Sequence, residues 1–165
     1  MGFRLVSEMR LNPASGSVPA ELSELFRYWD ERRRGRAMPA RADIDPFDLR
    51  TRLGRIHLLD VEGPDTFRYR VYGSRMTNPD ARDMTGRTTR DYSDEAFGDM
   101  VTRHLAQCVA ERGPVCHEIE GRLDADPYAY TRLALPLTGP DGEVAMILVG
   151  SVRRAIPVRV QREIG

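Results

Sequence analysis

The side chains best suited to acid–base, thiol or metal chemistry in this chain are three histidines, two cysteines and an acidic triplet: His57, His104, His117, Cys108, Cys116, and Asp43 with Asp45 and Asp48. The histidines fall on three separate expected elements, with no H-x-x-x-H or C-x-x-C spacing, so a metal site would have to be assembled wholly by folding. No G-x-S-x-G elbow, phosphate-binding G-x-x-x-x-G-K or dinucleotide G-x-G-x-x-G occurs. The acidic triplet surrounds Pro46 and reads as turn and cap residues rather than as a proton-transfer pair. Arg68 and Arg70 share one face of an expected strand, where a salt bridge or a solvated edge competes with an anionic ligand. The cysteines are expected as free thiols, with a Cys108–Cys116 redox pair as the alternative.

Every basic residue other than histidine is arginine, because the sequence contains no lysine. Schiff-base chemistry, a lysine-anchored pyridoxal cofactor and a P-loop lysine are thereby excluded, since each needs an amine. The 25 basic residues balance 25 acidic ones, so the overall field favours neither nucleic acid nor an anionic membrane. The 165 residues, 41% of them hydrophobic, are enough for one core. No run is apolar enough to span a membrane and Met1–Leu11 lacks the apolar core of a secretory signal, so the expected location is cytoplasmic.

The elements that must position these groups follow from periodicity. Residues 1–18 carry Asn12, Pro13, Ser15, Gly16 and Ser17 and no sustained period, and are expected as a flexible leader. A helix is expected from Pro19 to Arg34, with Leu22, Leu25, Phe26 and Trp29 on one stripe. Pro39–Leu53 reads as an extended segment turning into a short helix capped by Asp45, with Phe47, Leu49 and Leu53 inward. Strands are expected at 56–62 and 67–72, joined by the turn at Gly63, Pro64 and Asp65. A second helix is expected at 93–112, capped by Ser93, with Phe97, Met100, Val101, His104, Leu105 and Cys108 on one face. Strands at 115–123, 128–137 and 144–152 follow, the last apolar on both faces and so central in a covered sheet. In the strand at 128–137 the leucine side reads as inward, and the side of Tyr128, Tyr130 and Arg132 as the more polar one.

This order, with the stretch FRYRVYGSRMTNPDARDMTG at its centre, resembles a PAS domain. More narrowly it is similar to the single-domain PAS-like proteins common in alphaproteobacteria. The matching phrases are Trp29 with RRRGRAMPARADIDP, then IHLLDVE, FRYRVYG, DMTGR and LALPLTGPDGEV, together spanning about residues 22–150. The resemblance implies an α+β fold: a five-stranded antiparallel sheet of order 2-1-5-4-3, helices on one face enclosing a pocket, and here an extra N-terminal amphipathic helix. Residues 19–152 would form that domain and 153–165 an Arg-rich tail.

The function expected on these grounds is a non-enzymatic regulatory or sensory module binding a small molecule or a protein partner and signalling in trans. The N-terminal helix and the tail would report binding, and the helix stripe could join two copies as a homodimer. Expected ligand-facing residues are Tyr69, Met76, Phe97, Val101, His104, Leu105 and Leu133. No cofactor or metal is expected; the alternatives are a haem sensor using His104, since some PAS modules hold haem on the corresponding helix, or a structural dimerisation adaptor.

Overall fold

Six stretches of alternating or doubly apolar side chains pair into one antiparallel sheet in the computed structural model, which describes residues 2–76 and 78–155. In chain order the elements are β1 (Phe3–Leu11), α1 (Ala20–Arg33), β2 (Ile56–Gly63), β3 (Thr66–Val71), α2 (Glu95–Glu111), β4 (Val115–Leu123), β5 (Asp126–Thr138) and β6 (Val144–Arg153). The sheet order is β1-β4-β5-β6-β2-β3, so β6 is flanked by β5 and β2 as its two-sided apolar sequence requires.

Two expectations are corrected here. The sheet has six strands rather than five, because Phe3–Leu11 is no flexible leader but a strand paired along β4. It is anchored from a distance: the Phe3 N–H donates to Asp94 Oδ2 at 2.5 Å, Arg10 pairs with Glu111, and Arg103 pairs with Glu8. The segment after α1 is a series of turns with short 3-10 helices at Arg41–Asp43 and Leu53–Arg55, in which Leu49 is buried but Phe47 and Leu53 are exposed. Asp45 accepts the Phe47 N–H within this turn, while Asp48 holds Tyr28 and Arg32 and Asp43 holds Arg36 and the Ala40 N–H. The acidic triplet is thus spent on architecture.

The two long helices lie on opposite faces of the sheet. Side chains alternate along β6, and a Cβ built on Gly150 would meet Leu25 at 2.8 Å and Leu22 at 2.9 Å, so α1 presses on the face to which residue 150 points. Leu133, cross-strand partner of Gly150, shares that face. Leu22, Leu25 and Trp29 are buried there, and the Trp29 indole N–H donates to the Pro136 carbonyl at 2.9 Å. The α1 stripe is therefore consumed by the chain's own sheet, which removes the apolar surface on which a homodimer through this helix was expected to rest. The opposite face is covered by α2, whose start is fixed by Asp94 rather than Ser93: Asp94 Oδ1 accepts the Phe97 N–H at 2.9 Å. Among the described residues no helix is long and apolar enough to cross a membrane. Of the expected tail, Arg153 closes β6, and residues 156–165 lie outside the described residues.

Candidate functional site

Between α2 and the sheet lies a cavity of about 250 Å³. Its walls follow from strand alternation. On β5 the alternate residues Tyr128, Tyr130 and Arg132 point into it; on β2, His57 and Leu59; on β6, Val149, with Ser151 and Arg153 toward the mouth. From α2 come Phe97, Val101 and Leu105, spaced four residues apart on one helical face. Tyr69 of β3, Tyr72 just beyond that strand, Met76 and Tyr92 close the side.

Ring contacts hold this wall in place. The Tyr69 and Tyr92 hydroxyls share a hydrogen bond of 2.8 Å, and Asn78 Nδ2 donates to the Tyr72 hydroxyl at 2.8 Å. Edge-to-face contacts run from Tyr69 to Tyr92 and on to Phe97, then to Phe3 of β1. Burial pushes the Tyr69, Tyr92 and Tyr130 phenols well above their usual range, so they are neutral hydrogen-bonding groups rather than proton donors to solvent. His57 accepts the Gly73 N–H through Nδ1 at 3.0 Å, and its pKa is pushed down to about 3, first by burial and then by the positive field of Arg132.

A second cluster stands behind the wall. Arg132 Nη1 faces His104 Nδ1 at 3.0 Å, His104 Nε2 bonds Glu8 of β1, and the His104 ring stacks on His117 of β4 with centroids 3.7 Å apart. With Nδ1 accepting from the guanidinium, the proton of a neutral His104 sits on Nε2 and is donated to the Glu8 carboxylate. Burial is the main cause that holds His104 down to about 3 and His117 down to about 4. Ligand atoms of Glu8, His104 and His117 all lie within 4.8 Å of one another, so among the described residues these three could hold a cation. As the chain stands, the carboxylate is engaged by His104 and by Arg103 instead.

Five of the residues expected to face a ligand line the cavity: Tyr69, Met76, Phe97, Val101 and Leu105. Two do not. Leu133 points through the sheet toward α1, because the leucine side of β5 is the sealed one. His104 is turned from the cavity toward β1 and β4, with both ring nitrogens engaged, a poor posture for a haem ligand. Sequence reasoning missed His57, Tyr92, Tyr130 and above all Arg132 as wall residues. The alternation that groups Tyr128, Tyr130 and Arg132 was legible, but not that this side is buried as well: residues 128–137 are all buried. Arg68 and Arg70 pair with Glu62 and Asp60, and both cysteines are free and buried.

One antiparallel sheet, covered on one face by an N-terminal helix and hollow beneath a second helix on the other, defines an α+β module with a cavity under its second helix. A family model described as a PAS domain matches residues 18–152, and the chain belongs to that family, whose members are in general sensory or regulatory modules. No curated protein and no solved structure matches the chain.

Proposed function

We propose that the chain is a non-enzymatic PAS sensor that takes a small molecule into the cavity beneath α2 and passes its occupancy to a protein partner in trans. The observation that carries this reading is the cavity itself. The α1 face is held by close contacts at Gly150 and keeps a cleft of about 210 Å³ beside Leu22, Arg52 and Ile56, whereas the α2 face leaves about 250 Å³ beneath the helix, framed by tyrosines tied together by hydrogen bonds and ring contacts. Its volume is below the usual range for a drug-sized ligand, which points to a small metabolite.

A route for output is present in the same contacts. Arg132 on the wall, His104 on α2 and Glu8 on β1 form one chain of hydrogen bonds, so a change at the wall reaches the outer strand of the sheet. This coupling supports β1 as the element that responds to the ligand. The two free buried thiols fit the reducing cytoplasm. An adaptor that dimerised through the α1 stripe is not supported, since that stripe is buried in the chain's own sheet.

Native mass spectrometry of freshly purified protein tests the reading. The expected result is a bound small molecule released on denaturation and absent from a Val101→Trp variant that fills the cavity. Protein that carries no added mass, and whose melting temperature no metabolite in a broad panel moves, would contradict it.

A further inference from the structure

The cavity wall contains a charge that meets only neutral groups. Arg132 is 6% exposed and lies well inside β5. Its Nη2 donates to the Tyr130 hydroxyl at 2.6 Å and its Nη1 to His104 Nδ1 at 3.0 Å; the other N–H groups of the guanidinium have no partner among the described residues. Neither acceptor carries charge, because Tyr130 is held protonated and His104 is held neutral by burial. The histidine of the wall, His57, is neutral too, and the field of Arg132 is part of the reason. Arg55, Arg75, Arg132 and Arg153 all line the cavity, and among the described residues no aspartate or glutamate does, although the field of Asp83 reaches His57 from outside the lining.

A buried guanidinium without a counter-ion is expensive to fold around. The three other arginines are exposed, at the mouth, where Arg55 and Arg75 add a positive field that draws anions inward. Depth and mouth differ in kind: one buried cation sits among tyrosine rings and apolar side chains, with several exposed cations outside. This arrangement suits a single negative charge on an apolar body better than a multiply charged phosphate ester, which would have to bring its charge into an apolar space. A guanidinium also matches a carboxylate in shape, two parallel N–H groups facing two oxygens.

Resting on the sensor reading above, we propose that the ligand supplies the missing counter-ion: the cavity takes a monocarboxylate with an aromatic or apolar body. Its oxygens meet Arg132, and its body lies among Tyr69, Tyr92, Phe97, Val101 and Leu105. A carboxylate at Arg132 also competes with His104 for the guanidinium, so that occupancy is felt by Glu8 and β1 through the existing hydrogen bonds.

Isothermal titration of the full chain with 3-phenylpropionate and with its neutral amide, 3-phenylpropanamide, tests this. The acid is expected to bind more tightly than the amide, and Arg132→Gln is expected to weaken the acid by about 30-fold or more while leaving the amide nearly unchanged. Arg132→Lys, which keeps the charge but loses the planar fork, is expected to fall between. Equal binding of acid and amide by the wild-type protein overturns the counter-ion proposal and leaves the sensor reading standing. Acid binding undiminished in Arg132→Gln overturns it equally. Failure of both probes at millimolar concentration counts against proposal and sensor reading together. Should Arg132→Gln not fold, the ratio of acid to amide affinity in the wild-type protein decides alone.

Discussion

The two faces of the sheet are made from the same strands yet behave as different materials. On the α1 face, Gly150 lies close against Leu22 and Leu25, its cross-strand partner Leu133 is fully buried, and Trp29 is locked by an indole hydrogen bond. On the α2 face the neighbouring residues of the same strands are Tyr130, Arg132 and Val149, and they stand back from the helix around an open space. A period of two lets one strand serve both purposes: adjacent residues face opposite ways, and neither pattern disturbs the other. One face supplies close packing and the other contains an aromatic-lined space with one buried cation in its wall.

All the histidines belong to the α2 side, so acid should attack that side selectively. Their folded pKa values lie near 3 for His57 and His104 and near 4 for His117, below the ordinary value of 6.5. The unfolded chain therefore binds protons that the folded chain refuses. Their stabilising contribution is full above about pH 6.5 and is lost as pH falls from there toward 4 and then 3, each group weakening folding by up to about tenfold per pH unit. Denaturation midpoints at pH 7 and pH 5 should differ clearly; equal midpoints would mean that these rings are not buried neutral.

Deletions separate the faces next. Trp29→Ala removes the anchor of the sealed face and should cost about 3–5 kcal/mol in urea titrations. Leu133→Ala and Leu105→Ala remove the same atoms from opposite faces, and both fall in a range of about 2–5 kcal/mol. The first should lie near the top of that range, because it opens a new void, and the second near the bottom, because it enlarges a space that already exists. The reverse order would break the comparison. Gly150→Ala sharpens it from the other direction: the added methyl meets Leu22 and Leu25, and about 1–3 kcal/mol should be lost to overpacking. The smallest effect is expected away from both faces. Arg68→Ala breaks the exposed pair with Glu62 and should change stability by no more than about 1 kcal/mol.

The sealed face was legible in the sequence, since the i, i+3, i+4, i+7 stripe of α1 needs a partner and a doubly apolar β6 needs cover on both sides. The strand boundaries were legible as well, and β4 runs over the residues its pattern marks. What escaped was settled by contacts between residues far apart in the chain. β1 has a bulge between Leu5 and Ser7, which breaks its alternation, and leaves Val6 and Met9 exposed; its partners Asp94, His104 and Glu111 lie about ninety to a hundred residues away. The cavity wall escaped for a related reason. Tyrosine and arginine on one side of a strand read as solvent-facing unless a helix covers them, and alternation alone does not say which side a helix covers. The same ambiguity put Leu133 on the wrong face and overlooked Arg132.

The difference between the faces is tested most directly by following backbone and methyl NMR resonances while 3-phenylpropionate is added. The predicted result is saturable shifts at Tyr69, Tyr92, Val101, Leu105, Tyr130 and Arg132, with Leu22, Leu25 and Leu133 across the sheet left much less affected. Shifts concentrated on the α1 face, or spread over the exposed arginines without the cavity residues, would contradict it.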